Sequence, residues 1–564
     1  MTQYKITFED RNLKTWKVND YINLNYVELD NFNPYDLKLF HGDLFNYHNN
    51  VFNLIYSSVK IVDNIPGVLI LEGGKIYGKE NKKKLYKCLP DDKRLPPFLI
   101  PYEIKNMGFS KFMVNKYVNF KFLKWEKQHP IGILSQSIGD VNKLDHFYEY
   151  QLFCKSLNST IQNFTKATSH ALKEKTEEDF FENILFKNKH IEDRTNLNIF
   201  TIDSKNTIDF DDAIGITKEK DFTKISIYIS NVSLWLDTLQ LWESFSNRVA
   251  TIYLPDKKRP MLPTILSNSL CSLKENVKRF AFTMDIYLQD NVIVETKFVN
   301  SLILVKKNYY HNDKSLKENK DYNRIFAVLV DLLPSYKYIP SIQNSFDVIS
   351  YLMIFMNYYT AKHFEKYDNG IFRTSFYRKD KIIPHDIPDE IHKFMKIWSA
   401  SSGQYVKGSS PHEILELDAY LHITSPIRRL VDLLNLIKIQ KNLNLLTIED
   451  ENKIDIFYNT WIKKLDYINT TMRAIRKVQI DCTMLELCTN NPDIREKEHS
   501  GYLFDKVERS DGLFQYIVYL PELKIVSKIT SREDKNNYES GTFQIFLFED
   551  EEKIKKKIRL HLIK

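Results

Sequence analysis

Four aspartates within ten residues constrain this chain more than any other feature of its sequence. Asp203, Asp209, Asp211 and Asp212 lie in FTIDSKNTIDFDDAIGI with the spacing D-x5-D-x-D-D, between two apolar runs of strand-like composition. Carboxylates at this density repel one another, so they either take up protons or bind a cation. The segment therefore predicts a strand end and a loop at which something positive sits among the carboxylates.

The ligand chemistry of this aspartate cluster favours a hard divalent metal. Oxygen ligands without a neighbouring histidine or cysteine prefer Mg²⁺ or Mn²⁺ to zinc. Acidic clusters of this type hold the paired metal ions that hydrolyse phosphodiesters. An exposed acidic turn and a calcium-binding loop are the alternatives. The cluster lacks the central glycine and closing glutamate of an EF-hand, and strands border it instead of helices, which argues against calcium.

A second motif, YLHITSPIRRLVDLLNLIKI, predicts the start of a helix. Ser425 is a good N-cap, and Pro426 suits the first helical position. Arg428 and Arg429 would then lie in the first turn, where the helix dipole disfavours basic side chains by up to about 1 kcal/mol each. A bound phosphate would offset this cost. A salt bridge to Asp432 is an equally good explanation.

Composition limits the class of protein. At 564 residues the chain is too long for one hydrophobic core, which predicts several domains. Hydrophobic residues make up 43% and charged residues 27%, which excludes a disordered chain. The net charge of +7 is small for this length and indicates a polyanionic partner only weakly. Neither a signal peptide nor a membrane-spanning stretch is evident, so we expect an intracellular, cytoplasmic protein without membrane contact.

Local patterns predict a mixture of small barrels and helices. Short β-type runs broken by turns between residues 20 and 190 suit barrels of the OB or cold-shock kind. Residues 341–364 show the apolar spacing of a long amphipathic helix. Near the C-terminus, GYLFDKV and LFQYIVYL flank Asp511-Gly512, which predicts a hairpin that opens another barrel.

Taken together, the two motifs resemble those of the RNase II/RNase R family, which includes the catalytic subunit of the eukaryotic exosome. Between them, ISIYISNVSLWL resembles the family's "HIADVS" strand. RVATIYLPDKKRPMLPTILSNSLCSLKENVKRFAFT resembles its "YLP…PMLP…LS…LCSL" block. GIFRTS and the helix at 341–364 follow in the family's order. The resemblance covers roughly residues 195–490, and weaker similarity to the family's RNA-binding barrels covers most of the remainder.

The resemblance implies a multidomain α/β fold, with a central RNB-type mixed α/β catalytic domain flanked by small OB or cold-shock-like β-barrels. The predicted domains are an N-terminal region with a first barrel (1–90), a second barrel (91–190), the catalytic domain (191–495) and a C-terminal OB-fold barrel that binds RNA (496–564).

The resemblance also implies roles for individual residues. Two Mg²⁺ ions, or Mn²⁺ in their place, would activate a water and steady the leaving 3′ oxygen. Arg428 matches the arginine that grips the scissile phosphate, and Arg429 lies beside it as a helper. Tyr253, in IYLP, matches a tyrosine that packs against the terminal nucleotides, although a core tyrosine at a strand end is the alternative. The implied metal ligands are Asp203, Asp209, Asp211 and Asp212, with Asp211 also counted as catalytic.

Four departures from the family pattern accompany this match. Asn231 stands where the family has aspartate, Leu430 replaces a tyrosine, and the His-Arg pair expected after the DLL run is absent. Ile475 in MRAIRKV replaces the glutamate of an "AER" motif. The resemblance implies a monomeric, Mg²⁺-dependent 3′-to-5′ exoribonuclease that acts on single-stranded RNA. A catalytically silent RNA-binding protein and a subunit of an RNA-processing complex are the alternatives.

Overall fold

Two compact units make up the computed structural model of this protein. The first combines residues 1–158, 254–257 and 476–564, and the second combines residues 159–253 and 258–475. The residues that the structure describes are 2–48, 51–104, 113–219, 221–377, 383–384, 387–399, 403–447, 451–550 and 555–563.

The N-terminal part of the first unit is built mainly from strands. Its elements are β1 (Gln3–Phe8), β2 (Trp16–Asp20), β3 (Leu44–His48), β4 (Val51–Tyr56), α1 (Ser58–Ile61), β5 (Ile65–Leu69), a single 3-10 turn (Glu72–Gly74), β6 (Lys79–Glu80), β7 (Lys83–Pro90), β8 (Phe98–Tyr102), β9 (Lys116–Lys124), β10 (Ile131–Asp140) and α2 (Leu144–Cys154).

These strands form two sheets. One has the order β2-β1-β3-β4. In the other, β5 pairs with both β9 and β7, so that β5-β9-β10-β8-β7 closes into a ring with β6 beside β7. Strands β8 and β10 are parallel, which gives the ring the strand order of an OB barrel. The predicted boundary between residues 90 and 91 is wrong, because strands on both sides of it pair within this one barrel.

The second unit contains the following elements in chain order: α3 (Gln162–Ala171), α4 (Glu177–Lys187), β11 (Glu192–Asp203), β12 (Asp212–Glu219), β13 (Phe222–Ser230), α5 (Val232–Thr238), β14 (Ile252–Tyr253), β15 (Lys258–Arg259), a short π-helical turn (Leu266–Leu270), β16 (Lys278–Gln289), β17 (Val292–Tyr310), α6 (Lys314–Glu318), α7 (Lys320–Leu332), α8 (Ser345–Tyr367), β18 (Ile371–Thr374), α9 (Asp389–Ser399), β19 (Gln404–Lys407), a 3-10 turn (Glu413–Leu415), α10 (Leu430–Asn442), α11 (Glu451–Ile462) and α12 (Leu465–Asn490), which continues into the first unit.

A closed barrel of strands β11-β12-β13-β16-β17 is the centre of the second unit. Strand β13 illustrates how the strands of this barrel are buried on both faces. Its isoleucines Ile225, Ile227 and Ile229 join a hydrophobic cluster with residues of α7 and α8, while the alternate residue Tyr228 belongs to a separate cluster with residues of β11, β12, β16 and β17. Successive side chains of a strand point to opposite faces, so the period of two supplies both contacts.

The long helix predicted at 341–364 is confirmed as α8, which runs from Ser345 to Tyr367. Its start is fixed by a capping box, in which the Asn344 side chain accepts the Asp347 N–H and Asp347 accepts the Asn344 N–H. Asp368 ends the helix in the left-handed conformation. The local capping chemistry therefore places the start four residues later than the apolar pattern alone.

The helix start predicted at Ser425 is wrong, because α10 begins at Leu430. Ser425 accepts the N–H groups of Arg428 and Arg429 in a turn, but Arg429 itself is extended and pairs with Ala250. The Leu430 N–H donates to the Val249 carbonyl. Pairing with this neighbouring segment outcompetes the local helix signal, so both arginines precede the helix.

The C-terminal part of the first unit contains α13 (Pro492–Glu496), β20 (Glu498–Glu508), β21 (Phe514–Leu520), β22 (Ile525–Ser531), β23 (Ser540–Asp550) and β24 (Lys555–Leu562).

These strands form a sheet in the order β22-β21-β20-β23-β24, and β22 also contacts β24. The hairpin predicted at Asp511-Gly512 is confirmed between β20 and β21, with Gly512 at φ +75°. The sheet lies within the predicted domain 496–564. The second unit, which contains the central barrel, is offset from the predicted domain 191–495. It begins at residue 159 and ends at residue 475. The α/β multidomain fold class is confirmed, and none of the described helices is apolar over a length that could cross a membrane.

Candidate functional site

The aspartate cluster occupies the end of one barrel strand and the start of the next. Asp203 is the last residue of β11 and Asp212 is the first residue of β12. Ser272 holds the loop between them, because its hydroxyl accepts the Phe210 N–H at 3.0 Å and donates to the Ile208 carbonyl at 3.0 Å. Tertiary contacts thus fix the loop that carries the two middle aspartates.

A cavity of about 860 Å³ in the second unit brings together all seven predicted site residues. Its lining includes Asp203, Asp209, Asp211, Asp212, Tyr253, Arg428 and Arg429.

Asp211 is buried and accepts a hydrogen bond at each of its carboxylate oxygens. It is 3% exposed, and its Oδ1 accepts the Ile427 N–H at 2.9 Å. Its Oδ2 accepts a hydrogen bond from Arg428 Nε at 2.9 Å, and Arg428 Nη2 donates to Ser425 Oγ at 2.9 Å. The Arg428 side chain remains 44% exposed, so part of its guanidinium is open to a ligand.

Asp209 has a separate partner for each of its two carboxylate oxygens. Lys258 Nζ lies 3.0 Å from Oδ1, and the Tyr253 hydroxyl donates to Oδ2 at 3.4 Å. Tyr253 is 40% exposed, so it is not the buried core tyrosine that was the alternative. Loss of water around the part of its side chain that is covered, followed by the nearby Asp209 charge, raises the pKa of Tyr253 well above its ordinary value, which keeps its hydroxyl protonated.

The other three aspartates are held in conditions that disfavour their charge. Burial raises the pKa of Asp211 to about 7, despite the opposing effect of Arg428. Burial, followed by the charge of Asp211, raises the pKa of Asp203 to about 7. Burial, followed by the charge of Asp203, raises the pKa of Asp212 to about 7. Strongly shifted carboxyls that line one cavity are characteristic of functional sites.

Arg429 makes the salt bridge that was weighed against phosphate binding. Its Nη2 donates to Asp432 Oδ1 at 2.8 Å, and Asp432 is fully buried. The same carboxylate oxygen accepts the Ser425 N–H at 2.8 Å. Arg429 Nε is nevertheless buried without a hydrogen-bond partner among the described residues. The ion pair therefore accounts for only part of this arginine.

The oxygen ligands that the four aspartates offer have the chemistry that a hard divalent cation prefers. The four aspartates offer only oxygen, and Asp203 Oδ2 is buried with no hydrogen-bond partner in the described structure. Across the described ranges, however, no three His, Cys, Asp or Glu side chains are arranged as a ready-made metal site. The Arg428 guanidinium offsets part of the negative charge in this arrangement, and a metal ion would compete with protons for the carboxylates whose pKa values are raised.

Several cavity residues were not singled out from the sequence. Tyr420, His422 and Thr424 alternate with Leu421 and Ile423, both of which are fully buried. This period of two in YLHIT is the pattern of a segment that shows one face to a cavity. Lys258 and Asn357 also line the cavity, and neither lies in a motif that signals its position.

The departure at Asn231 is accommodated by hydrogen bonds with uncharged side chains, and one partner, Gln440, lies on α10, the helix that carries the DLL run without the family's His-Arg pair. The buried Asn231 Nδ2 donates to Asn300 Oδ1 at 2.9 Å and to Gln440 Oε1 at 3.0 Å. Ser233 Oγ donates to Asn231 Oδ1 at 2.8 Å and accepts from Gln440 Nε2 at 2.8 Å. A neutral network of amides thus fills this position between α5 and α10.

The two remaining departures are apolar and buried. Leu430 is fully buried at the start of α10, and Ile475 is 4% exposed on α12. Neither is among the residues that line the cavity. Both replacements are therefore accommodated as packing residues.

We expect Asn231→Asp to lower the free energy of unfolding by roughly 2–4 kcal/mol, because a buried carboxylate cannot donate to the amide oxygens of Asn300 and Gln440. Denaturant unfolding of both proteins measures the change. Asn323→Asp, at an exposed position on α7, is the matched control and should stay within about 0.5 kcal/mol of the parent. Equal losses in both variants would contradict the role of the network.

Comparison with known proteins places residues 191–324 in the RNB domain. The chain is 34% identical to the Ribonuclease R of Mycoplasmopsis pulmonis (strain UAB CTIP) over 178 residues, which cover 29% of this chain and 24% of that protein. The chain spans about a quarter to a half of the length of the first curated relatives that it matches. The resemblance to the RNase II/RNase R family is confirmed.

Solved structures share the fold along nearly the whole chain. Mycoplasma genitalium RNase R, in a complex with ribose-methylated single-stranded RNA, matches with a TM-score of 0.69 and 15% identity over 99% of this chain and 100% of that chain. Yeast Ssd1, described as a pseudonuclease, matches with a TM-score of 0.59 and 13% identity over 96% of this chain and 80% of that chain. At this identity the likeness establishes the fold alone.

Proposed function

We propose that this chain, an RNB-domain protein, shortens single-stranded RNA from its 3′ end and releases nucleoside 5′-monophosphates. The observation that carries the proposal is the single cavity that gathers the four aspartates with Arg428 and Tyr253. Phosphodiester hydrolysis needs cation-binding carboxylates and a donor for phosphate charge at one place, and this cavity has both. The likeness to Ribonuclease R supports the same substrate class.

Asp203, Asp209, Asp211 and Asp212 would hold divalent metal ions, Mg²⁺ or Mn²⁺. Bound there, these ions supply Lewis-acid stabilisation of the phosphate and a water of lowered pKa. The raised pKa values of three of these aspartates and the unpartnered Asp203 Oδ2 support this assignment.

The other residues act on the nucleic acid itself. Arg428, held by Asp211 and Ser425 but 44% exposed, can direct its free N–H groups at the scissile phosphate. The exposed face of Tyr253 offers a stacking surface for a base, and its hydroxyl contact with Asp209 fixes the ring beside the carboxylates. In the proposed complex, the last phosphodiester would lie between the Tyr253 ring and the charged groups.

A catalytically silent RNA-binding protein is the second candidate. The fold by itself is compatible with this function, because the pseudonuclease Ssd1 shares it. Burial of Ile475 at the position of the family glutamate also fits a changed site. Retention of all four aspartates and Arg428 in one cavity favours the enzyme. Association with an RNA-processing complex is compatible with either function.

The test is a cleavage assay with Mg²⁺ and 5′-labelled single-stranded RNA, resolved at single-nucleotide resolution beside a DNA of the same sequence. The proposal expects RNA alone to shorten stepwise from the 3′ end, with nucleoside 5′-monophosphates as product. Binding of RNA without cleavage in Mg²⁺ or Mn²⁺ would establish the silent protein instead. Sizing chromatography of the purified chain tests the expected monomer.

Metal binding should depend on pH. Because the pKa values of Asp203, Asp211 and Asp212 are raised to about 7, protons compete with Mg²⁺ below that pH. The apparent Mg²⁺ affinity should therefore rise between about pH 6 and pH 8 and then level off. Calorimetry in two buffers of different ionisation enthalpy should detect proton release at the lower pH only. Affinity that does not change across this range would contradict the raised pKa values.

A further inference from the structure

His422 is held rigidly in the wall of the cavity. Its Nδ1 lies 2.9 Å from the Tyr405 hydroxyl, and its carbonyl accepts a hydrogen bond from Asn435 Nδ2 at 2.9 Å. The imidazole packs edge-on against two rings, Tyr405 with centroids 5.7 Å apart and Tyr420 with centroids 5.6 Å apart. These contacts leave the ring one orientation, with its Nδ1 edge toward Tyr405.

The hydrogen-bond network assigns the proton of His422 to Nε2. Tyr405 is 2% exposed, and the Arg373 guanidinium, which lies 4.8 Å from its ring centroid, offers only donors. In the described structure, His422 Nδ1 is the hydrogen-bond acceptor within reach of the Tyr405 hydroxyl. The hydroxyl therefore donates to Nδ1, and a neutral imidazole then carries its proton on Nε2.

The charges around His422 support a neutral ring. Burial, helped by the nearby positive charges of Arg429 and Arg373, lowers the pKa of His422 well below its ordinary value. A neutral ring with this tautomer can donate from Nε2 but has no lone pair there for a metal ion. No described residue hydrogen-bonds Nε2, so the donor is available to a ligand in the cavity.

A second unused donor lies in the same wall. Arg429 lines the cavity, and its Nε is buried without a hydrogen-bond partner in the described structure, although its Nη2 binds Asp432. Arg428 adds a further positive charge to this end of the cavity. Two donors in a positive environment favour an anionic acceptor, and phosphate oxygens are the anionic acceptors of RNA.

We propose that His422 Nε2 and Arg429 Nε bind the scissile phosphate, which leaves as the 5′-phosphate of the released mononucleotide, and that Tyr405 is the positioning residue that fixes the His422 tautomer. This inference rests on the proposed function for the identity of the ligand. It assigns phosphate recognition to a wall of the cavity that the aspartates do not form.

The test measures binding of uridine 5′-monophosphate, inorganic phosphate and uridine to the full chain by calorimetry with EDTA present, so that metal does not contribute. His422→Leu should weaken binding of the monophosphate and of phosphate about 10- to 100-fold, the range for a hydrogen bond to a charged group. His422→Gln keeps a donor and should recover most of the affinity. Uridine binding should be the same in all of these proteins.

Tyr405→Phe tests the positioning role. It should weaken phosphate binding several-fold, and long-range proton–nitrogen NMR should show that His422 loses its preference for the Nε2 tautomer. Tyr322→Phe, at a buried tyrosine on α7 outside the cavity, is the matched control and should change neither. Thermal unfolding of each variant checks the fold, and the Gln and Phe variants carry the test if the Leu variant does not fold.

Two results would overturn the inference. One is undiminished phosphate binding in a folded His422→Leu or Tyr405→Phe protein, and the other is an equal loss of uridine binding. The RNA-shortening assay on the same preparations separates this inference from the proposed function. An active parent whose variants bind phosphate normally refutes the inference alone. A parent that binds phosphate through His422 but never shortens RNA refutes the nuclease alone.

Discussion

Asp211→Asn is expected to slow the shortening of RNA by about 10³-fold or more. Metal ions supply several kcal/mol of stabilisation to a phosphoryl transition state, and each 1.36 kcal/mol is a factor of ten in rate. A neutral amide at position 211 lacks the charge of a metal ligand. It also leaves one donor unpaired, because its single oxygen cannot replace both carboxylate oxygens that accept from Ile427 and Arg428.

The measurement is single-turnover cleavage of 5′-labelled single-stranded RNA at saturating protein, with RNA binding measured separately. The variant should still bind RNA, because only the cleavage step depends on the metal ligand. Asp331→Asn, at an exposed aspartate on α7 that accepts a hydrogen bond from Asn291, is the matched control and should cleave at the parent rate. Parent-like cleavage by Asp211→Asn would remove Asp211 from the catalytic site.

Arg194→Leu is expected to lower the free energy of unfolding of the barrel by about 3–5 kcal/mol. Asp285 is fully buried and accepts hydrogen bonds from Arg194 Nη1 at 2.8 Å and Nη2 at 2.6 Å. Ser226 Oγ donates to it as well, at 2.6 Å. Without the guanidinium, Ser226 alone cannot compensate a charge that has been removed from water.

Urea unfolding, followed by hydrogen exchange in the barrel strands, measures this loss. Replacing both partners, as Arg194→Leu with Asp285→Leu, should recover most of the stability, because no buried charge then remains. Asp455→Ala breaks the exposed pair with Lys441 and should cost less than about 1 kcal/mol. A double variant no more stable than Arg194→Leu would show that loss of packing, and not unpaired charge, is responsible.

Local sequence patterns correctly predicted those structural elements that are determined by interactions between residues close in sequence. The D-x5-D-x-D-D spacing predicted a strand end and a loop, and the structure ends β11 at Asp203 and starts β12 at Asp212. The helix at α8 and the hairpin at Asp511-Gly512 followed from apolar period and turn chemistry. Each of these signals acts over a few residues, so it survives in the folded chain.

The errors arose where distant segments compete with local preference. Ser425 and Pro426 have the chemistry of a helix start, yet pairing of Arg429 with Ala250 keeps the chain extended until Leu430. The boundary drawn at residue 90 falls inside a barrel, because pairing of β7 with β5 and β8 is a long-range property.

The sequence by itself determined which residues could do chemistry: the four aspartates and the paired arginines are legible from residue type and spacing, and Tyr253 from the resemblance to the RNase II/RNase R family. The tertiary structure alone decided which of them share a cavity and which partners they have. It paired Arg428 with Asp211, 217 positions away, and for Arg429 it realised the salt bridge to Asp432 that the sequence had left as one of two explanations. It also placed His422 beside Tyr405. The physical reason is that hydrogen bonding and burial depend on distance in space, and the chain brings remote residues together only by closing its barrel and packing helices against it.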